Sequence, residues 1–159
     1  MLSGMIVGVP VALFFESAFH LWFTTLGIAT LIAPLVEEFA KANPLFYRKE
    51  KTGRSLMILG ALTGLGFGLA EFLAYVYSGV PFLFRLPAVA FHAAGTSIVG
   101  YGISKGETAR YYLLAVSLHF LNNFFAALGL LWLSGGLAAT VASYYFAWKF
   151  YGRVSKASH

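Results

Sequence analysis

Cysteine and aspartate are both absent from this 159-residue chain. Without thiols it forms no disulfide and no thiolate metal site, so any metal chemistry falls to histidine and glutamate. Charge is scarce too. Asp, Glu, Lys and Arg make up 11% of the residues, less than half the share of about 25% usual in a soluble domain. No internal repeat, low-complexity tract or long linker divides the chain, which reads as one domain over residues 1–159. What fills the space is apolar: 59% of residues are hydrophobic and 18% aromatic. That balance places the chain in the membrane class. A helix needs about 20 apolar residues to cross a bilayer, so this length allows five or six spans and little else. The net charge of +5 could suggest a nucleic-acid partner. The basic residues, however, sit in short loops between apolar runs, where topology accounts for them, and no nucleic acid is expected.

The reading is therefore all-α, a polytopic integral membrane bundle of about six transmembrane helices. Span 1 runs from Leu2 to Phe15; lacking a basic leader, it reads as a span and not a cleaved signal. Glu16–His20 forms a turn, and span 2 runs from Leu21 to Tyr47 with a kink expected at Pro34. A basic loop over 48–54 leads to span 3, Ser55 to Tyr77, which Ser78–Gly79–Val80–Pro81 ends. A short Phe82–Pro87 segment leads into span 4, ending near Ser104. Span 5 starts near Ala109, with Tyr111–Tyr112 and Trp132 as its interfacial aromatics. Ser134–Gly135–Gly136 separates it from span 6, which ends at Lys149–Arg153. Nine of the eleven basic residues then fall on one side, Lys41 lies within a span, and Arg85 stands alone on the other side. The positive-inside rule puts both termini and the basic loops in the cytoplasm.

Polar residues inside the spans are few and costly in hydrocarbon, so each needs a cavity or a partner. They are Glu37, Glu38, Lys41, Glu71, His92, Thr96, His119, Asn122 and Asn123. Counting the helical rise from the nearest cytoplasmic basic residue puts Glu37 and Glu38 at ~15 Å, His119 at ~14 Å, His92 at ~20 Å and Glu71 at ~25 Å. Glu71 is the outlier and needs a tilted or late-starting span 3. Gly60, Gly64 and Gly68 form a stripe that lets another helix approach. His92 with Thr96, and His119 with Asn123, share faces and can aim a ligand and its support at one point. Lys41 can neutralise one glutamate, leaving two negative charges for a divalent cation. Two histidines with a carboxylate are a familiar catalytic zinc shell, and the remaining glutamate could deprotonate a bound water.

Glu37–Glu38–Phe39–Ala40–Lys41 resembles the EExxK motif of the PrsW family of intramembrane metalloproteases. Phe67–Gly68–Leu69–Ala70–Glu71 resembles its FxxxE motif, His92–Ala93–Ala94–Gly95–Thr96 its third, and His119–Phe120–Leu121–Asn122–Asn123 its HxxxN. The four motifs occur in order on separate expected spans and cover 34–123. The family belongs with the type II CAAX prenyl endopeptidases and bacteriocin-processing relatives. The resemblance implies a membrane-embedded endopeptidase in the cytoplasmic membrane of a prokaryote, acting on a membrane-associated protein substrate. It implies Glu37 or Glu38 as general base, Glu71, His92 and His119 as ligands of a divalent metal, zinc by expectation, and Asn123 as oxyanion donor. Asn122, which cannot share Asn123's face, is assigned to helix packing. Only one short span precedes Glu37, fewer than family members usually carry.

Two rivals use the same residues. A catalytically silent scaffold, resembling the multi-helix subunit of gamma-secretase, would employ them to hold partner helices. A proton-coupled transporter would employ them as a relay, although the chain lacks the inverted repeat such folds carry.

Overall fold

The computed structural model describes residues 1–19, 27–48, 52–128 and 132–156. Among these, six helices and no strand occur: α1 (Val9–Phe19), α2 (Ala33–Phe46), α3 (Gly53–Tyr77), α4 (Phe82–Lys105), α5 (Thr108–Ala127) and α6 (Trp132–Lys156). Wider π-type turns, Gly4–Gly8 and Ile28–Ile32, run into α1 and α2. Two helices, α3 and α4, are both long and apolar enough to cross a membrane. Apolar side chains also cover much of the exterior, including Ile6, Phe14, Leu83, Leu113 and Trp148. Water would not tolerate that surface, but lipid does.

The hairpin of α3 and α4 is the centre of the bundle, and small residues make it possible. A Cβ placed on Gly60 would meet Thr96 O at 2.5 Å, one on Gly64 would clash with His92 O, and one on Gly68 would meet Val89 Cα at 2.9 Å. Backbone therefore packs on backbone along three turns, as the glycine stripe predicts. The turn between the two helices is closed by Gly79 at φ +90°, a conformation open to glycine. Near the basic ends, Tyr101, Tyr111 and Phe150 form an aromatic core, with the Tyr101 and Phe150 rings stacked at 4.7 Å. This cluster locks α4, α5 and α6 together.

Several expected boundaries move. Glu16 to Phe19 continue α1 instead of forming a turn, and His20 lies outside the described residues. Pro34 occupies the first turn of α2, where its missing N–H costs nothing, so the expected kink is instead a change of winding after Ile32. Phe82–Pro87 is part of α4 and not a separate lead-in. Trp132 opens α6 and does not close α5, and Gly135 and Gly136 lie inside α6. Glycine is used there for contact: a Cβ on Gly135 would clash with the Phe125 ring. Met1 packs against Gly66, part-way along α3.

The packing yields a paired test. Gly64→Val should lower the thermal midpoint of the detergent-solubilised protein, because the added carbon atoms force α4 away by an overpacking cost of about 1–3 kcal/mol. Gly152→Ala, where nothing lies within 4 Å, should be neutral or slightly stabilising.

Candidate active site

The first motif sits on α2, where consecutive residues point about 100° apart. Glu37 and Glu38 therefore face different surroundings. Glu38 and Lys41 are fully buried, and Lys41 Nζ donates to Glu38 Oε1 at 2.6 Å. An ammonium carries only donors, so the second contact of Nζ, His92 Nδ1 at 2.8 Å, has the imidazole accepting. That fixes the proton of neutral His92 on Nε2, which donates to Glu71 Oε2 at 2.8 Å. On α5, His119 Nδ1 donates to Glu38 Oε1 at 2.9 Å, leaving its Nε2 lone pair 3.7 Å from Glu37 Oε2. A carboxylate behind an imidazole in this way orients the ring and raises its basicity as a ligand.

The two imidazoles lie edge to face, with centroids 5.2 Å apart, and Phe91 packs against both. Phe67, one turn before Glu71 on α3, packs on His92 and beneath the Lys41 ammonium. Gly95 lies beside the Glu38 carboxylate, where a Cβ would stand in ordinary contact, 3.6 Å from both its oxygens. One ligand atom each from Glu37, His92 and His119 falls within 4.8 Å of the other two, and all three residues are buried. Their donor types suit a divalent cation such as zinc.

A cavity of about 530 Å³ opens beside this trio. Its polar lining includes Glu37, Glu71, Arg85 and Asn123; alanines such as Ala12, Ala70, Ala74 and Ala126 supply much of the rest. The cluster is thus layered. Glu38, Lys41, His92 and His119 lie sealed behind the wall, while Glu37, Glu71 and Asn123 reach the cavity.

This sorts the expected residues. Glu71 needs no displaced helix: it bonds His92 directly and pairs with Arg85 at 2.9 Å, standing beside the Glu37–His92–His119 trio and not within it. Asn123 lines this cavity, whereas Asn122 lines a separate, small one of about 90 Å³. Thr96 gives no support to the His92 ring, because its hydroxyl donates to the His92 backbone carbonyl at 3.1 Å. Three contributors carried no motif signal: Arg85, the Phe91 wall, and Tyr112, whose hydroxyl donates to Leu35 O at 2.7 Å and ties α5 to the first turns of α2. Only Arg85, the lone charge on its side, was visible as unusual in the sequence.

The sequence model of a family described as PrsW family intramembrane metalloprotease matches residues 1–151. The chain belongs to the PrsW family. That membership supports a membrane protease with a divalent metal and a protein substrate, and it does not favour the silent scaffold. No curated protein and no solved structure matches the chain. In this PrsW-family chain the four motifs meet at one place, with α2, α3, α4 and α5 each contributing.

The sealed layer predicts a strong asymmetry between single and double substitutions. Lys41→Met leaves the Glu38 carboxylate buried without its cation and should cost about 3 kcal/mol or more. The double variant Lys41→Met, Glu38→Leu should recover much of that loss. Thermal unfolding of the four members of the cycle measures it.

Proposed function

We propose that this chain is a metal-dependent endopeptidase that hydrolyses a peptide bond of a membrane-associated protein within the bilayer. One observation carries the reading: a compact Glu37–His92–His119 cradle borders a cavity whose wall holds a second carboxylate and an amide. The donor set fits a divalent ion, and zinc is our assignment. His119 would hold it through Nε2, Glu37 through its carboxylate, and His92 through the ring nitrogen now turned to Glu71. A bound ion would supply Lewis acidity, lowering the pKa of water and polarising the scissile carbonyl.

The chain's own groups do the rest. Glu71, on the cavity wall, takes a proton from the attacking water as its oxygen bonds to the carbonyl carbon. Negative charge gathers on the carbonyl oxygen, and the Asn123 side-chain amide donates a hydrogen bond to it. Glu71 then gives the proton to the amide nitrogen as the C–N bond breaks, releasing a carboxylic acid and an amine. This assignment exchanges the two roles implied by the motif resemblance, making Glu37 the ligand and Glu71 the base. The spacing of the trio supports the exchange. Glu38 and Lys41 act through the histidines, holding the rings of His119 and His92 in place.

We also infer that the basic ends of α2 to α6 face the cytoplasm of a prokaryotic cell, with the cavity nearer the opposite face. The cysteine-free background makes this simple to test. Lys105→Cys should react with an impermeant maleimide only after the cells are opened, and Val80→Cys should react in intact cells; the reverse pattern would invert the topology.

Metal content separates the roles of the glutamates. By mass spectrometry the wild type should carry about one zinc per chain, and Glu37→Gln and His119→Ala should lose most of it. Glu71→Gln should keep its zinc while peptide cleavage falls by about 100-fold or more. If Glu71→Gln strips the metal and Glu37→Gln retains it without turnover, the two roles revert. Undiminished cleavage by metal-free protein would end the mechanism.

A further inference from the structure

Arg85 is the one charged group on the cavity wall that the proposed reaction leaves without a task. It lies near the start of α4, at the end of the bundle away from the basic helix termini, and no other Lys or Arg is among the described residues lining the cavity. Its Nη2 donates to Glu71 Oε2 at 2.9 Å, and its Cζ lies 3.7 Å from the centre of the Tyr75 ring. The Nε on the same edge of the guanidinium is buried and has no hydrogen-bond partner among the described residues. Arginine offers five N–H donors in a planar fork suited to a bidentate carboxylate. A guanidinium serving only a structural ion pair would have its buried donors met, since an unmet one is costly. Here Glu71 takes one corner of the fork, and about a fifth of the side chain remains accessible (22%).

Charge points the same way. With the histidines neutral, Glu37, Glu38 and Glu71 against Lys41 and Arg85 leave one net negative charge. A divalent ion turns that into one net positive charge, which favours an anionic occupant in a low-dielectric cavity.

We propose that Arg85 is a specificity-determining residue that binds a carboxylate of the substrate, close to the scissile bond. Because Glu71 Oε2 touches both Arg85 Nη2 and His92 Nε2, the guanidinium lies within about 6 Å of the imidazole. An extended chain advances about 3.5 Å per residue, so the carboxylate belongs within about two residues of the cleaved bond. A terminal carboxylate and an Asp or Glu side chain both meet that requirement. The inference rests on the reading of this cavity as the substrate site.

The test uses the full chain in detergent with zinc and four fluorescent apolar pentapeptides. Two differ only in ending as carboxylate or carboxamide; two carboxamides differ only in Glu or Gln at the penultimate position. Anisotropy is read before turnover, and mass spectrometry of the same samples reports cleavage. The wild type should bind at least one carboxylate peptide about tenfold or more tighter than its neutral partner, and the favoured pair identifies the source. Arg85→Gln should abolish the preference, so that each carboxylate peptide binds like its neutral partner. Arg85→Lys, which keeps the charge without the fork, should retain part of it, and it decides the matter should Arg85→Gln not fold. Equal binding of charged and neutral peptides, an equal loss for both in Arg85→Gln, or no binding of any peptide would overturn the proposal. A carboxylate preference with every peptide intact would leave the binding site standing and count against the hydrolase; cleavage without preference would do the opposite.

Discussion

Everything at the centre of this bundle depends on a lysine from which both water and lipid are excluded. Lys41 is wholly buried between a carboxylate on its own helix and an imidazole on α4, and the same carboxylate oxygen receives the imidazole of α5. Removing such charges from water costs several kcal/mol each, so an arrangement of this kind persists only when every partner is in place. That demand works as a geometric constraint. It fixes α2, α4 and α5 relative to one another and sets the tautomer of each histidine. The nitrogen left with a lone pair on His119 is thereby the one facing Glu37. The constraint acts at a distance from the chemistry, because Lys41 and Glu38 do not line the cavity.

Much of this was legible in the sequence for an energetic reason. Ionisable groups are expensive in hydrocarbon, so the few that interrupt the apolar runs were bound to find each other, and the glycine stripe showed which helices would approach most closely. What could not be read was rotation and register. Glu37 and Glu38 are adjacent, and only the docking of α2 decides which is sealed and which is wet. Depth counted from the cytoplasmic ends made Glu71 an outlier. Counted from the turn between α3 and α4, Glu71 lies six residues before Tyr77 and His92 ten after Phe82, a stagger of about one helical turn. A count of helical rise misses side-chain direction: both side chains lean toward their own helix N-terminus, so across an antiparallel pair they lean toward each other and close the stagger. Gly135 misled for another reason: glycine marks a break and a close contact alike, and the Phe125 ring that needs the space lies on the preceding helix.

The layered arrangement also bears on how one site can be both rigid and wet. Ligand orientation needs the low dielectric and fixed partners of a packed interior, whereas hydrolysis needs water and a polypeptide to enter. Here the two needs are met on opposite sides of the same imidazoles. Behind them lie Glu38, Lys41 and the Phe91 ring; before them lie Glu37, Glu71, Asn123 and the cavity. The proposed mechanism asks for such a division, with a general base open to the cavity and histidines held away from it.

The cavity wall continues that logic outward. Alanines from α1, α2, α3 and α5 surround it, so its width is set by backbone positions and not by large side chains that would have to move. The helices α1 and α5 face each other across it without packing together to any extent among the described residues. A peptide bond presented for attack must be free of its own helix, because a carbonyl engaged in an i→i−4 hydrogen bond is shielded from a nucleophile on the helix flank. Unwound backbone at membrane depth is tolerated only where it lies against protein or water. On the proposed reading, a polar-floored space lined largely by small residues meets that condition for an unwound substrate segment, with Arg85 on its wall.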